Sequence, residues 1–389
     1  MPEVFIAGAA MTRFGKHMER SSRELVEQVV GAVLKDAELQ PGDIDACYVG
    51  NAVSGLMTGQ ESIRGQVVLR NTGLLGVPIV NVENACASSS TALYLARQAI
   101  ASGEQERVLV LGYEKLYDED RQKSFRAFNA SMDLEEMQRR FPKGGEGKSV
   151  FMDLYASFSE PAAAGGASLD VEALGMVSVK NHHHGALNPL SQFREEVSLE
   201  EVLGSRQIAG PLTLLMCSPL SDGAAALVLS SRPPNGRRVR IAASVLASGR
   251  GDDRSKPDAV TRAAGLAYEM AGLGPADLDV VELHDATAIA ELQLYEELRL
   301  CGPGEAPRLV LDRETWLGGR QPVNPSGGLI ARGHPIGATG AAQVVELTWQ
   351  LQGRCDQRQV PDAKVALAQN GGGWIGTDAA ACAVHVLVT

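Results

Sequence analysis

Two distant stretches of this chain read in the same register. LQPGDIDACYVGNA (39–52) and LGPADLDVVELHDA (273–286) align without a gap: a proline turn, an Asp, an apolar residue, a second Asp, then an apolar strand. An amphipathic helix pattern precedes each copy, SRELVEQVVGAVLKDAEL behind a capping Ser and AVTRAAGLAYEMAGL. Each half then repeats a helix and a buried strand: TALYLARQAIASG with RVLVLGYE, and GATGAAQVVELTWQLQG with AKVALAQNGGG, the latter expected to end in a glycine turn. This is an internal duplication of one α/β unit of more than about a hundred residues. Strands alternating with helices predict a mostly parallel sheet with covered faces. The expected organisation is an N-terminal half over 1–114 plus part of 205–235, a loop or substrate lobe over 115–205, and a C-terminal half over 236–389. The lobe carries charge runs (YDEDRQK, DLEEMQRRFPKGGEGK) and the small-residue stretch PAAAGGAS, and RPPNGRR (232–238) reads as the surface crossing between halves.

Composition removes several function classes. The net charge of −11 argues against nucleic acid, whose phosphates demand clustered Lys and Arg. No apolar run approaches the roughly 18 residues of a membrane span. MPEVFIAGAAMTRFG has no charged segment before its apolar run, so no secretion signal is expected, and no Ser-Lys-Leu-like address is expected at the C-terminus. Cysteines at 47, 86, 217, 301, 355 and 382 contain no CxxC pair, which suits a reducing cytoplasm and argues against disulfides or structural zinc. Adjacent His182, His183 and His184 diverge too far for a metal site, and no metal is expected.

Five segments carry candidate chemistry. In NACASSSTAL, Cys86 precedes a helix start, where the dipole and free N–H groups lower a thiol pKa and make a nucleophile; Ala85, Ala87 and Ser88 leave room for an acyl group. In GGLIARGHPIGATGAA, His334 sits in a glycine-rich turn before the duplicate's counterpart of that helix. If the halves pack pseudo-symmetrically, the helix starts converge and His334 meets Cys86, the activated-nucleophile arrangement. In LHDATA, His284 and Asp285 lie at a strand's C-terminal end, where α/β sheets place their sites. In AQNGGGWIG, a glycine N–H together with that of Cys86 could form an oxyanion hole. In CSPLSDGAAALVLSS, Ser218 is a candidate contact for a pantetheine arm, while Asp222 and Gly223 serve the turn.

These motifs, with GYEK, VSVKNHHHGALNPLSQF and LLMCSPLSDGAAA, span nearly the whole length, and the chain resembles the thiolase superfamily, in particular its sterol-carrier-protein type. The resemblance implies a five-layered αβαβα fold of two similar halves with an inserted loop lobe, a homodimer, and acyl transfer through a cysteine between CoA thioesters. It implies Cys86 as acyl carrier, His334 as its activator, His284 as a donor to the enolate oxygen, and the Cys86 and Gly371 N–H groups as a second oxyanion hole. Coenzyme A is then a substrate, with Ser218, Lys180, Arg194, Arg206 and Asn370 as candidate contacts for it. Some relatives pair with a small zinc-containing OB-fold protein.

The departures are specific. Gln369 stands where ordinary thiolases keep a second cysteine, and Ala286 stands where the sterol-carrier-protein type has one. The α-carbon proton must then be handled by His284, a water or the substrate, with Cys217 a further candidate. The reading is 3-oxoacyl-CoA thiolysis in β-oxidation, with a branched or aryl acyl group. Claisen condensation, or a non-catalytic subunit working with a partner protein, are the alternatives. Retro-aldol relatives typically lose the nucleophile, and Cys86 is present.

Overall fold

The computed structural model describes residues 2–142, 149–159, 170–236, 238–253 and 255–389. PAAAGGAS and the KGGEGK segment lie outside them, as does residue 237 of the crossing segment. Nine strands form one sheet: β1 (Phe5–Met11), β2 (Ala46–Gly50), β3 (Ile79–Val82), β4 (Arg107–Glu114), β5 (Gly223–Ser230), β6 (Arg240–Ser248), β7 (Val280–Glu282), β8 (Val365–Ile375) and β9 (Asp378–Val388). Their order is β3-β2-β4-β5-β1-β6-β9-β8-β7. The junction between halves is narrow, a β1–β6 bridge at Phe5 and Arg240 with flanking backbone hydrogen bonds.

Outward from that junction the halves match strand for strand. β1 meets β5, and β5 meets β4, both antiparallel; β2 and β3 then follow in parallel. β6 meets β9, and β9 meets β8, both antiparallel; β7 follows in parallel, and Val323 bridges Val281 in parallel beyond it. The repeated aspartates explain why the sequence keeps them. Asp43 and Asp277 each cap a proline turn, accepting from Gln40 N at 2.8 Å and Gly274 N at 2.7 Å. Asp45 receives the N–H groups of Glu106 and Arg107, and Asp279 those of Lys364 and Val365, fixing each strand to its neighbour.

The expected mostly parallel sheet is corrected: only three of the eight strand contacts are parallel. A short hairpin through Gly376 and Thr377 joins β8 to β9, and a two-residue connection permits only antiparallel pairing. The expected glycine turn after Gln369 is also corrected. β8 runs on through Gly371, Gly372 and Gly373 to Ile375, in register with β9 on both sides of Gly373, whose φ of 65° is left-handed.

Helices complete five layers. α1 (Ser22–Asp36) covers the outer face of the first half. Ser21 caps it in a reciprocal box with Glu24, and Leu25, Val26, Val29, Val30 and Val33 form its buried stripe. Burying each such side chain contributes roughly 1.5–3 kcal/mol. α6 (Ala259–Ala271), capped by Asp258 and ended by Gly272, does the same for the second half. Between the half-sheets lie α2 (Ser88–Ala101) and α8 (Ile336–Gln352), which share one apolar core with strands of both halves. They approach closely because Gly340 has no side chain: a Cβ there would lie 2.0 Å from Ser90 Oγ. The segment between β4 and β5 carries α3 (Arg121–Asn129), α4 (Val150–Ser157) and α5 (Val171–Ala186), and α7 (Ala288–Glu297) follows β7.

Candidate active site

α2 and α8 start side by side, and the turn before each carries a reactive side chain. Cys86 lies in a single 3-10 turn, Ala85–Ala87, leading into α2. Ala85 holds a left-handed backbone (φ 49°), with its N–H fixed by the Glu83 carboxylate at 2.6 Å. The turn seats against β8 where Gly372 presents only hydrogen; a Cβ there would sit 2.1 Å from the Asn84 carbonyl. The β8 glycines therefore make room for the nucleophile's turn.

His334 comes from the turn before α8. Its backbone N–H donates to Ser221 Oγ at 2.9 Å, and Ser221 in turn donates to Gln192 at 2.6 Å. Its ring meets Thr339, one turn into α8, with Nδ1 2.7 Å from Oγ1. The Thr339 hydroxyl lies 3.2 Å from Pro335 O, to which it donates, so it accepts from His334 Nδ1–H. That places the proton on Nδ1 and leaves Nε2 as the base. His284 follows β7; its backbone N–H donates to Gln369 Oε1 at 3.1 Å, and its Nε2 lies 3.5 Å from His334 Nε2. Asp285 anchors this loop, its buried carboxyl receiving the N–H groups of Leu329 and Ile330 and the Asn181 amide. Donor atoms of Cys86, His284 and His334 all lie within 4.8 Å of one another. They are also zinc-ligand types, and among the described residues this is the one such cluster of three or more.

The resting electrostatics differ from the sequence expectation of an acidified thiol. Burial pushes the Cys86 thiol up to about 12, with Glu114 adding to it, against the opposing pull of the Gly373 and Cys86 N–H groups. Desolvation outweighs the helix start because the sulfur is enclosed. Burial also holds His334 well below the ordinary imidazole range, with His284 and Arg332 contributing, and lowers His284 to about 4. The resting pair is a neutral thiol beside a neutral imidazole.

A cavity of about 470 Å³ opens onto these atoms. Eight of the chain's eighteen Phe, Tyr and Trp residues line it, among them Phe125, Phe151, Tyr155, Phe158 and Trp374. Ser218, Cys217, Gln369, Gly371 and Arg206 line it too. Other expected contacts lie elsewhere. Lys180 is corrected: its ammonium is fully buried against Glu291, Tyr295 and the Val323 carbonyl, where it neutralises a carboxylate, and it is not among the cavity's lining residues. Asn370 is corrected as well. Its side chain points to the central helices, accepting from Ser90 Oγ at 3.0 Å, because strand alternation turns it away from Gln369 and Gly371. Arg194 is exposed and is not among the cavity's lining residues. Gly371 packs beneath His284, a Cβ there lying 3.3 Å from Nδ1, whereas the backbone N–H reaching the Cys86 sulfur is that of Gly373. Asp222 does more than serve its turn. It binds Lys115 at 2.8 Å and the N–H groups of Leu116, Tyr117 and His17, clamping the start of the lobe. The histidine run diverges: His182 stacks on Phe193, His183 pairs with Glu196, and His184 bonds Asn324 O and Leu317 N.

The sequence reading missed Thr339, Gly373, Arg121 and the aromatic wall. Thr339 had a local signal, a hydroxyl five residues past the histidine and one turn into its helix. The wall had none, since its members come from separate segments.

A five-layered duplicated α/β fold with a cysteine and a histidine at its central helix starts, and a second histidine from a strand end beside them, defines a class of cysteine-dependent acyl-transfer enzymes. Two family models cover almost the entire chain: "Thiolase, N-terminal domain" over residues 4–233 and "Thiolase C-terminal domain-like" over 247–385. The chain belongs to the thiolase family of acyltransferases. It is 38% identical over 395 residues to acetyl-CoA acetyltransferase of Methanothermobacter thermautotrophicus, covering 99% of each chain. It is 37% identical over 402 residues to sterol carrier protein 2 of Homo sapiens, covering 95% of this chain and 70% of that protein. It is 36% identical over 389 residues to benzoylsuccinyl-CoA thiolase subunit BbsB of Thauera aromatica, covering 95% of each. Among solved structures, the Ltp2-ChsH2(DUF35) aldolase superposes with a TM-score of 0.81 at 24% identity, covering 100% of this chain and 98% of that one, a likeness of fold. No helix among the described residues is long and apolar enough to cross a membrane.

Proposed function

We propose that this chain cleaves 3-oxoacyl-CoA thioesters with CoA, carrying the acyl group on Cys86, and that the acyl group is aryl or similarly bulky. The observation that carries the reading is the meeting of Cys86, His334 and His284, with Thr339 fixing the base tautomer. Cys86 gives its proton to His334 Nε2 as the sulfur attacks the keto carbon. The bond between keto carbon and α-carbon then breaks, and its electron pair forms the thioester enolate, whose oxygen takes a hydrogen bond from His284. Each well-placed donor of this kind contributes about 3–4 kcal/mol to the transition state. The proton held by His334 passes to the α-carbon, releasing acetyl-CoA or its α-substituted counterpart. His334 next takes the proton of an incoming CoA thiol; that sulfur attacks the Cys86 thioester carbonyl, the bond to the Cys86 sulfur breaks to release the shortened acyl-CoA, and His334 returns the proton to Cys86. One histidine shuttles one proton, so no second cysteine is required. Gln369 is excluded from this work, because a carboxamide does not titrate and its two ends are tied to His284 N and Cys382 Sγ.

The aromatic lining supports a flat, bulky acyl group, as does the name of the Thauera relative. Exposed Arg121 and Arg206 at the cavity, with Ser218, are the proposed CoA contacts. A homodimer is supported by β3, whose outer edge pairs with no strand among the described residues and whose neighbourhood exposes Ile63, Leu75 and Val80. A zinc-containing OB-fold partner is proposed on two names, the subunit status of BbsB and the DUF35 complex. Free cysteines suit the proposed cytoplasmic location. The test is thiolysis of linear, branched and aryl 3-oxoacyl-CoAs, alone and with candidate partners, alongside intact-mass detection of acyl-Cys86. Acyl labelling that survives Cys86→Ala would sink the scheme.

A further inference from the structure

The aromatic cavity contains one polar stretch that its apolar purpose does not explain. α7 turns Ala290, Gln293, Leu294 and Glu297 toward the cavity, a stripe at helical spacing. α4 faces it with half-buried Tyr155, whose hydroxyl lies within electrostatic reach of both Cys86 and Glu297. Among the described residues, no protein group hydrogen-bonds the Tyr155 hydroxyl, the Gln293 amide or the Glu297 carboxyl, and none pairs with Glu297 as a cation. All three are half-buried, so their polar atoms stand at the cavity wall unclaimed by protein and available to a bound group.

We propose that Tyr155, Gln293 and Glu297 form a specificity subsite for a hydroxyl group carried on the aryl ring of the acyl substrate, making hydroxyaryl 3-oxoacyl-CoAs the preferred class. This rests on the acyl-transfer reading above. A hydroxyl both donates and accepts, and the three groups offer it a carboxyl, an amide and a phenol. A carboxylate substituent is disfavoured, because Asp258, Asp378 and Glu296 already surround Glu297 with negative charge. Burial, with those three acids adding to it, pushes the Glu297 carboxyl up to about 8, so near neutral pH it serves chiefly as an uncharged acid. Sites built to hydrogen-bond a substrate hydroxyl discriminate strongly against the analogue lacking it.

Binding separates this proposal from the chemistry. Cys86→Ala protein, which cannot be acylated, is titrated calorimetrically with benzoyl-CoA and with its 2-, 3- and 4-hydroxy analogues. At least one hydroxy isomer should bind about tenfold tighter than benzoyl-CoA or better. The preference should fall to about unity in Cys86→Ala/Glu297→Leu and weaken in Cys86→Ala/Tyr155→Phe, with benzoyl-CoA affinity changing less than about threefold. Equal affinity for all four thioesters, or a preference that survives Glu297→Leu, overturns the subsite. Failure of acyl transfer would show separately, as wild-type protein that binds these thioesters without forming acyl-Cys86. Should Glu297→Leu fail to fold, Glu297→Gln and Gln293→Leu provide the same comparison.

Discussion

Thr339 is the residue through which the geometry is most sharply testable. Replacement by Val keeps the shape of the side chain and deletes the hydroxyl that sits 2.7 Å from His334 Nδ1. Nδ1–H would then be a buried donor without an acceptor, a cost of about 1–3 kcal/mol. The ring escapes that cost by moving its proton to Nε2, which is the atom that must accept the Cys86 proton. Regaining the working tautomer restores the penalty, so it appears in the barrier to acylation. At about tenfold per 1.36 kcal/mol, acylation should slow roughly 10- to 100-fold. The assay is rapid-quench intact mass spectrometry of acyl-Cys86, with the thioester KM measured in parallel. The loss should fall on the acylation rate, with KM nearly unchanged, and Thr339→Ser should recover most of it. The hydroxyl's bond to Pro335 O also goes, so melting should drop by the equivalent of about 1 kcal/mol in both the acylated and free protein. Acylation by Thr339→Val within about threefold of the wild-type rate would refute the assignment of His334 as a base working through Nε2.

Three further outcomes are expected. Gly372→Ala places a Cβ 2.1 Å from Asn84 O and 2.7 Å from Ala87 N, so it should destabilise the fold by about 1–3 kcal/mol and abolish acylation. Thermal melting with Cys86 labelling reads both, and a stable, fully active Gly372→Ala protein contradicts the seating of the nucleophile's turn. His284, lowered to about 4 by burial, stays neutral in the fold but is protonated in the unfolded chain below about 6.5, so its contribution is lost as pH falls from 6.5 toward 4. His284→Asn removes that loss, and its urea-unfolding free energy should gain on wild type by up to about 1.4 kcal/mol per pH unit across pH 6 to 5; parallel curves would show that His284 is not held neutral. Val80→Lys puts a charge on β3, an edge strand among the described residues, and should shift the sedimentation coefficient of the proposed dimer to that of a monomer; a dimer unchanged by the substitution, or a monomeric wild type, would overturn the proposed interface.

The fold was legible because duplication writes the same physical constraint twice. Asp45 and Asp279 each tie two N–H groups of the neighbouring strand's start, and that demand keeps the two copies in register. Strand direction was less legible, because an apolar run pairs equally well either way and only the connections decide. Treating Gly371–Gly373 as a turn concealed the face of β8; strand alternation puts Gln369 and Gly371 on one side and sends Asn370 to the other. Lys180 failed differently. A lysine in a ligand-side motif reads as a surface cation, and its partner Glu291 lies more than a hundred residues away. The aromatic wall was illegible for the same reason, since Phe151 and Trp374 share no local pattern.

Symmetry in the frame and asymmetry in the site are two sides of one arrangement. The duplicated units place α2 and α8 together in the central layer, and Gly340 against Ser90 lets them touch. Their starts must then converge, whatever residues stand there. At matched positions the copies have diverged: Gly50 corresponds to His284. A Cβ at Gly50 would collide with the Ser89 backbone at 2.6 Å, where α2 begins directly behind the cysteine turn. The first copy has therefore kept its strand end bare to seat the Cys86 turn, while the second has kept its own to carry an imidazole. Thiol and histidines thus come from opposite halves of the repeat. Neither half alone holds a working site, and any change that loosens the α2–α8 contact, Gly340→Ala above all, should cost activity before it costs the fold of either half.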